Sequence, residues 1–238
     1  MKIKVLLIGG NGLIGSYLYV NLLKNNFNIT KCSRIDKFSS FKENFDIVIH
    51  AANSSKKYEA TKYPKIDYKE SVKKTSKIIN YFSKSKIILI SSISSRLENN
   101  TYALNRKICE NIVLKANSHN LVFRLPVICS EKNKRGILFD IIKSKNIYLD
   151  KNSKINPIFI DQFSDFFLSK FVNTRGIIEF GSSQDITIKE IIEHIKSSSN
   201  CTGKVLNLTS IKNEVDLPNI NEFLTKLTNL ISKNKEIN

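Results

Sequence analysis

Runs of continuous apolar residues alternate with stretches whose apolar positions recur every three or four residues, from the start of the chain to near its end. The runs fit strands buried on both faces, and the recurring spacing fits helices laid against them. Together they predict an α/β domain with a doubly wound parallel sheet. KVLLI (4–8) predicts the first strand and LIGSYLYVNLLK (13–24) the helix that follows it. NITKCS (28–33), DIVIHAA (46–52), KIILISS (86–92) and LVFRLP (121–126) predict four more strands, with a long polar helix around 65–83 and another over 101–117. The rhythm then loosens. Residues 127–160 read as irregular with a short helix near 137–144, and 162–172 as a helix. GIIEFGS (176–182) reads as a late strand, and 187–197 as a helix opened by the capping-box spacing Thr187…Glu190. A last helix, 219–233, precedes a charged tail. The expected organisation is a parallel-sheet core over 1–126, then a mixed part over 127–238 that holds a late core strand, helices and a small, reduced C-terminal lobe.

At 238 residues the chain can bury a full core. No stretch approaches the roughly 20 apolar residues that span a bilayer. The opening MKIKVLLIGGNG has too short an apolar run for a signal peptide and lacks a small-residue cleavage site. A cytoplasmic protein with no membrane partner is expected. Cys32, Cys109, Cys129 and Cys201 form no CxxC pair, and no acidic or histidine cluster has metal-ligand spacing, so neither a disulfide framework nor a metal is expected. The net charge of +17 raises nucleic acid as a partner. Yet 32 of the 38 basic residues are Lys, spread from Lys2 to Lys235 with no clustered stripe interleaved with aromatics. A solvated lysine surface without a nucleic-acid partner is the expectation, and a positive field also attracts phosphorylated substrates.

Half of the eight glycines fall in GGNGLIG, at Gly9, Gly10, Gly12 and Gly15. A pyrophosphate needs a tight strand-to-helix turn with backbone N–H groups facing it, and residues without a Cβ permit both the turn and the close approach. The buried strand before the loop and the amphipathic helix after it supply the context that gives the motif meaning. The spacing is GxxGxxG. Together with DIVIHAA, the paired serines of ILISS, YALNRKICE, RLP and the late FGS, it resembles the extended short-chain dehydrogenase/reductase family, the NAD(P)-dependent epimerase/dehydratase group that acts on nucleotide sugars. The resemblance is dense over 1–126 and thinner over 157–197. It implies a Rossmann fold, an oxidoreductase or epimerase, a nucleotide-sugar substrate in polysaccharide biosynthesis, and allows a homodimer. The cofactor-contacting set it implies is Gly9, Asn11, Gly12, Leu13, Ile14, Gly15, Ser33, Arg34, Ala51, Ala52, Asn53, Ser91, Tyr102, Arg106, Leu125 and Pro126.

At the tip of the second strand, where an acidic side chain would select NAD, this chain has Ser33 and Arg34. A hydroxyl and a guanidinium suit a 2′-phosphate, which favours NADP, with NAD as the alternative if Asp36 takes the ribose. The resemblance places the chemistry on Ser92, Tyr102 and Arg106. Residues four apart on a helix share a face, so Tyr102 and Arg106 can point into one cleft. Where the family has Lys, this chain has Arg106. The guanidinium supplies a permanent cation but passes no proton, and Lys107 is turned away by about 100°. A second departure is Ser71, where the family often has Asn. Two functional readings follow: an NADP-dependent reductase or epimerase on a nucleotide-activated keto-sugar, or an NADP-binding sensor or scaffold that does not turn over. His50 is read as a structural hydrogen-bonding residue, and Arg124 as either a buried ion-pair member or a substrate contact.

Overall fold

The computed structural model describes residues 2–32, 41, 44–214 and 217–236. Ser33, Arg34 and Asp36 therefore lie outside the described residues. In chain order the elements begin β1 (Lys4–Ile8), α1 (Leu13–Lys24), β2 (Asn28–Cys32) and β3 (Ile47–His50). Next come α2 (Lys57–Lys62), α3 (Pro64–Tyr68), a π-helical turn (Lys69–Lys73), α4 (Lys74–Tyr81), β4 (Lys86–Ser92), α5 (Ser94–Leu97), α6 (Thr101–Ala116) and β5 (Leu121–Leu125). The remainder is β6 (Ile128–Cys129), α7 (Ile137–Ile142), β7 (Lys154–Ile155), β8 (Ile158–Phe159), α8 (Ile160–Lys170), β9 (Gly176–Glu179), β10 (Ile186–Thr187), α9 (Ile188–His194) and α10 (Ile220–Glu236). The chain divides into two compact units, Met1–Arg124 with Ser164–Ile178, and Leu125–Phe163 with Glu179–Asn238.

The first unit is built on a six-stranded sheet in the order β2-β1-β3-β4-β5-β9. β1 runs parallel to both β2 and β3, and β3 parallel to β4. From β1 the chain crosses to β2 on one side, then returns past β1 to β3 on the other. Right-handed crossovers of opposite direction put their helices on opposite faces of the sheet. Side chains alternate along each strand, so Leu6, Ile8, Val48, Ile87, Leu89 and Val122 face one way. They form a core with Val72 of the π turn, Ile78 of α4, Phe82, and Cys109 and Val113 of α6. On the other face Phe123 meets Phe167 of α8 with ring centroids 5.2 Å apart. Phe167 stacks on Phe171 at 5.0 Å, and Phe171 meets Phe27 at 5.1 Å.

The helix expected around 65–83 runs without a break from Pro64 to Tyr81, with a π turn in its middle. Its inward side carries Asp67, Ser71 and Thr75, which are all buried and all polar. The late strand stops at Glu179, three residues early.

The second unit carries two short ribbons, β6 parallel to β8 and β7 antiparallel to β10. Asn156 ties it together: its Nδ2 donates to Ser210 Oγ at 2.5 Å, and its Oδ1 accepts from Ser210 N–H at 2.9 Å. α9 opens with the expected box, in which Thr187 Oγ1 accepts from the Glu190 N–H and Glu190 returns a carboxylate to the Thr187 N–H. Among the described residues no helix is long and apolar enough to cross a membrane, and no group of three or more His, Cys, Asp or Glu could hold a metal ion.

Candidate active site

Where successive crossovers leave in opposite directions, a crevice opens at the C-terminal ends of the strands, and open parallel sheets bind ligands there. Here that point lies between β1 and β3. β1 ends at Ile8 and the chain turns at Gly9 with φ +89°, a conformation that L side chains rarely adopt. A Cβ on Gly9 would stand 2.7 Å from the Ala51 carbonyl carbon, so the turn and the loop after β3 touch backbone to backbone. Gly15, on the first turn of α1, is buried against the glycine turn itself, and a Cβ there would come within 2.8 Å of the Gly9 carbonyl carbon. The exposed Gly12 is the N-cap of α1 and offers no side-chain oxygen to its first turn. That leaves a helix N-terminus of the kind that receives anions. Asn11 is exposed beside it, and Leu13 and Ile14 are half-buried.

The loop after β3 is held from below. His50 is fully buried; its Nδ1 accepts from the Ala52 N–H at 3.3 Å, so its Nε2 carries the proton donated to Thr75 Oγ1 at 3.1 Å. Burial, reinforced by the charges of Lys74 and Arg106, lowers the pKa of His50 from 6.5 to about 3. The ring is neutral, and its role is the structural one read from the sequence. Lys74 Nζ donates to the Ala52 carbonyl at 3.1 Å. Ala51, Ala52 and Asn53 are half-buried, and both polar atoms of the Asn53 side chain are buried without a hydrogen-bond partner among the described residues.

α6 presents Tyr102 and Arg106 on one buried face. Its N-terminus is capped by Asn100, whose Oδ1 accepts from the Ala103 N–H at 3.0 Å. Tyr102 is 7% exposed and Arg106 1% exposed, and the guanidinium carbon lies 4.8 Å from the centroid of the phenol ring. Lys57 Nζ of α2 lies 5.8 Å from the same ring and is paired to Glu98 at 2.5 Å. Arg106 Nη2 donates to the Ser54 carbonyl at 2.8 Å and to Ser71 Oγ at 3.0 Å. Its Nε and Nη1 are buried with no partner among the described residues. Lys107 is exposed, as the helical step requires.

Ser92 closes β4, and its hydroxyl is engaged within its own turn, donating to Ser94 Oγ and accepting from the Ser94 N–H, both at 3.3 Å. Ser91 faces away. Its hydroxyl donates to Glu110 Oε1 at 2.5 Å, and Glu110 Oε2 accepts from Arg124 Nε at 3.0 Å and Nη2 at 2.7 Å. Arg124, half-buried itself, is therefore the ion-pair partner of the buried Glu110, one of the two roles the sequence left open. Leu125 is buried at the end of β5 and Pro126 is half-buried; both belong to the second unit.

Sequence reasoning missed Asp67, Asn105, Ser54 and Lys57. Asp67, 5% exposed, accepts from Asn105 Nδ2 at 2.7 Å. The four-residue steps Asp67, Ser71, Thr75 were the available signal, since they put three polar residues on one helical face.

No family model matches the chain, and no curated protein sequence matches it. Solved structures do. The UDP-N-acetylglucosamine 4-epimerase of Methanobrevibacter ruminantium, solved with UDP-N-acetylmuramic acid, is 16% identical, with a TM-score of 0.80 over 98% of each chain. The dTDP-4-dehydrorhamnose reductase of Bacillus anthracis, solved with NADP, is 14% identical with a TM-score of 0.77 over 98% of this chain and 99% of its own. Pal of Bacillus thuringiensis is 17% identical with a TM-score of 0.76 over 97% of this chain and 99% of its own. The Rossmann-like fold expected from the strand pattern is thus the fold this chain shares, over nearly its whole length, with an epimerase and a reductase of sugar nucleotides.

Proposed function

We propose that the protein is an NADP-dependent reductase or epimerase acting on a nucleotide-activated keto-sugar. One observation carries the reading. Arg106, which contacts the Tyr102 ring, is hydrogen-bonded to Ser54 in the loop that packs on the glycine turn. The phenol and the anion-receiving turn therefore belong to one crevice.

The residues present fit a nicotinamide dinucleotide. Gly9 and Gly15 let the turn pack tightly on the loop after β3 and on itself, Gly12 is exposed, and the uncapped first turn of α1 suits a pyrophosphate. The Asn53 amide and two guanidinium nitrogens of Arg106, Nε and Nη1, are buried without a hydrogen-bond partner among the described residues, and such groups are costly unless something satisfies them. Ser33 and Arg34 would take a 2′-phosphate. When bound, the nicotinamide supplies or accepts the hydride. Tyr102 would give its phenol proton to the oxygen of a carbonyl being reduced, or take one from a hydroxyl being oxidised. Arg106 would hold positive charge beside that phenol at every working pH. Ser92 would bond the same substrate oxygen after releasing its local contact with Ser94.

The reading also draws on the epimerase and the reductase whose fold the chain shares, and on the density of the glycine, serine and tyrosine motifs. It is tested by titrating NADPH and NADH, then following NADPH oxidation with a panel of nucleotide-activated keto-sugars. NADPH should bind more tightly than NADH, and Tyr102→Phe should lower turnover by about 100-fold or more without weakening NADPH binding. Binding without turnover across the panel would favour the sensor or scaffold. Absence of binding to either nucleotide would remove both readings.

A further inference from the structure

Asp67 is a buried acid that the reading above does not use. It lies beside Arg106, and a guanidinium cannot shed its charge when it is buried. Buried charges persist when they are paired and hydrogen-bonded. Arg106 Nη2 lies 4.0 Å from Asp67 Oδ1, too far for a hydrogen bond. The link runs through Ser71 instead: Nη2 donates to Ser71 Oγ at 3.0 Å, and that hydroxyl donates on to Asp67 Oδ1 at 3.5 Å. The other carboxylate oxygen accepts from Nδ2 of Asn105, the neighbour of Arg106 on α6, at 2.7 Å. Asp67 thus links Ser71 of the π turn to Asn105 of α6. The π turn itself, Lys69–Lys73, lies within the helix between Asp67 and Thr75, the kind of local departure that accompanies functional sites.

We propose that Asp67 is a positioning residue: acting through Ser71, it fixes the direction of the Arg106 guanidinium so that Nη2 is committed to Ser54 and Ser71, and Nε and Nη1 remain available to acceptors on a bound nicotinamide nucleotide. The role rests on the nucleotide-binding reading given above. With Asp67 replaced by an uncharged side chain, Ser71 loses the charged acceptor that orients its hydroxyl, and the guanidinium redistributes its donors.

The test is a double-mutant cycle on full-length protein, read by the dissociation constant of NADPH and by thermal unfolding without nucleotide. Asp67→Asn, nearly isosteric, should weaken NADPH binding about tenfold in the wild-type background and cause no further weakening in Arg106→Met. Its effect on the melting temperature should change sign. In the wild type it leaves a buried guanidinium without its counter-charge and lowers the temperature; in Arg106→Met it removes an unpaired buried carboxylate and raises it. Equal effects in the two backgrounds would overturn the role, because an acid that served only the fold would act independently of Arg106. Ser71→Ala removes the bridging hydroxyl without touching either charge and should weaken NADPH binding in the same direction, so the proposal stays open to refutation if Asp67→Asn fails to fold. An unchanged constant in folded Asp67→Asn, with NADPH bound normally by the wild type, would overturn the role alone. If the wild type binds neither NADPH nor NADH, the functional reading falls, and this role with it.

Discussion

Acid sensitivity should be written into the site through His50. In the folded protein its pKa is held down to about 3, against 6.5 in the unfolded chain, because charging the ring would bury an ion beside Lys74 and Arg106. A folded-state pKa below the unfolded one means that the unfolded chain binds the extra proton between those values. The stability is therefore present above pH 6.5 and is lost as the pH falls toward 3. The slope in that window is about 1.4 kcal/mol per pH unit, so moving from pH 7 to pH 5 costs about 2 kcal/mol from this residue alone. For a chain of 238 residues that corresponds to roughly 4–8 °C in melting temperature. Other groups also titrate, so the assay is a difference: thermal unfolding of the wild type and His50→Gln at pH 7 and pH 5. The variant loses hydrogen bonds to Ala52 and Thr75 and should melt lower at pH 7. Its further drop on acidification should be smaller than the wild type's by about those 4–8 °C. Equal drops in the two proteins would refute the argument, because they would mean that His50 does not enter the fold neutral.

Gly9→Ala should lower the melting temperature and abolish detectable NADPH binding. The substitution puts a Cβ 2.7 Å from the Ala51 carbonyl at a φ of +89°, at a cost of roughly 2 kcal/mol or more. Arg124→Met should cost about 3–5 kcal/mol, because Glu110 is left buried with a charge, and Arg124→Met/Glu110→Met should recover most of that loss in the same denaturation assay.

The strands and their helices were legible because each carries a local signal. KVLLI is apolar throughout, as a strand covered on both faces must be, and β1, α1 and β4 fall on the residues expected of them. α9 began where Thr187 and Glu190 required. The helix over 65–83 was legible as well, but the inward role of its polar residues was not, and that has a physical cause. Asp67 and Ser71 look like the solvated face of a polar helix, and a polar side chain in the sequence does not reveal that its partner is Asn105 or Arg106, 38 and 35 positions away. The same limit applied to Arg106. Its spacing from Tyr102 put it on the right face, while its contacts with Ser54 and Ser71 depended on how the loop after β3 meets α6. Arg124 resolved as an ion pair for the same reason, since Glu110 lies on a different element.

The charges around the crevice refine what the net +17 means for an anionic ligand. Among the described residues, Lys74, Lys57 and Arg106 reach the loop after β3 or the phenol, and each has an acid beside it: Lys74 with Glu70 at 2.9 Å, Lys57 with Glu98 at 2.5 Å, and Arg106 with Asp67 at 4.0 Å. Paired in this way, these three contribute little net field at the distance of a pyrophosphate; Lys31, whose stem packs on Gly10, holds its ammonium over the Tyr19 ring, 4.1 Å from the centroid, and lysines farther off are screened beyond about 8–10 Å at ordinary salt. Affinity for the phosphates would then fall mainly to the backbone N–H groups of the glycine turn and the first turn of α1, which carry no counter-ion and are fixed in direction. It follows that the equilibrium dissociation constant for NADPH should depend only weakly on salt, apart from the 2′-phosphate end, while Gly9→Ala should be more damaging than neutralising Lys57 or Lys74. A steep rise of the dissociation constant with ionic strength for NADH, which lacks the 2′-phosphate, would show that the lysines, and not the turn, hold the nucleotide.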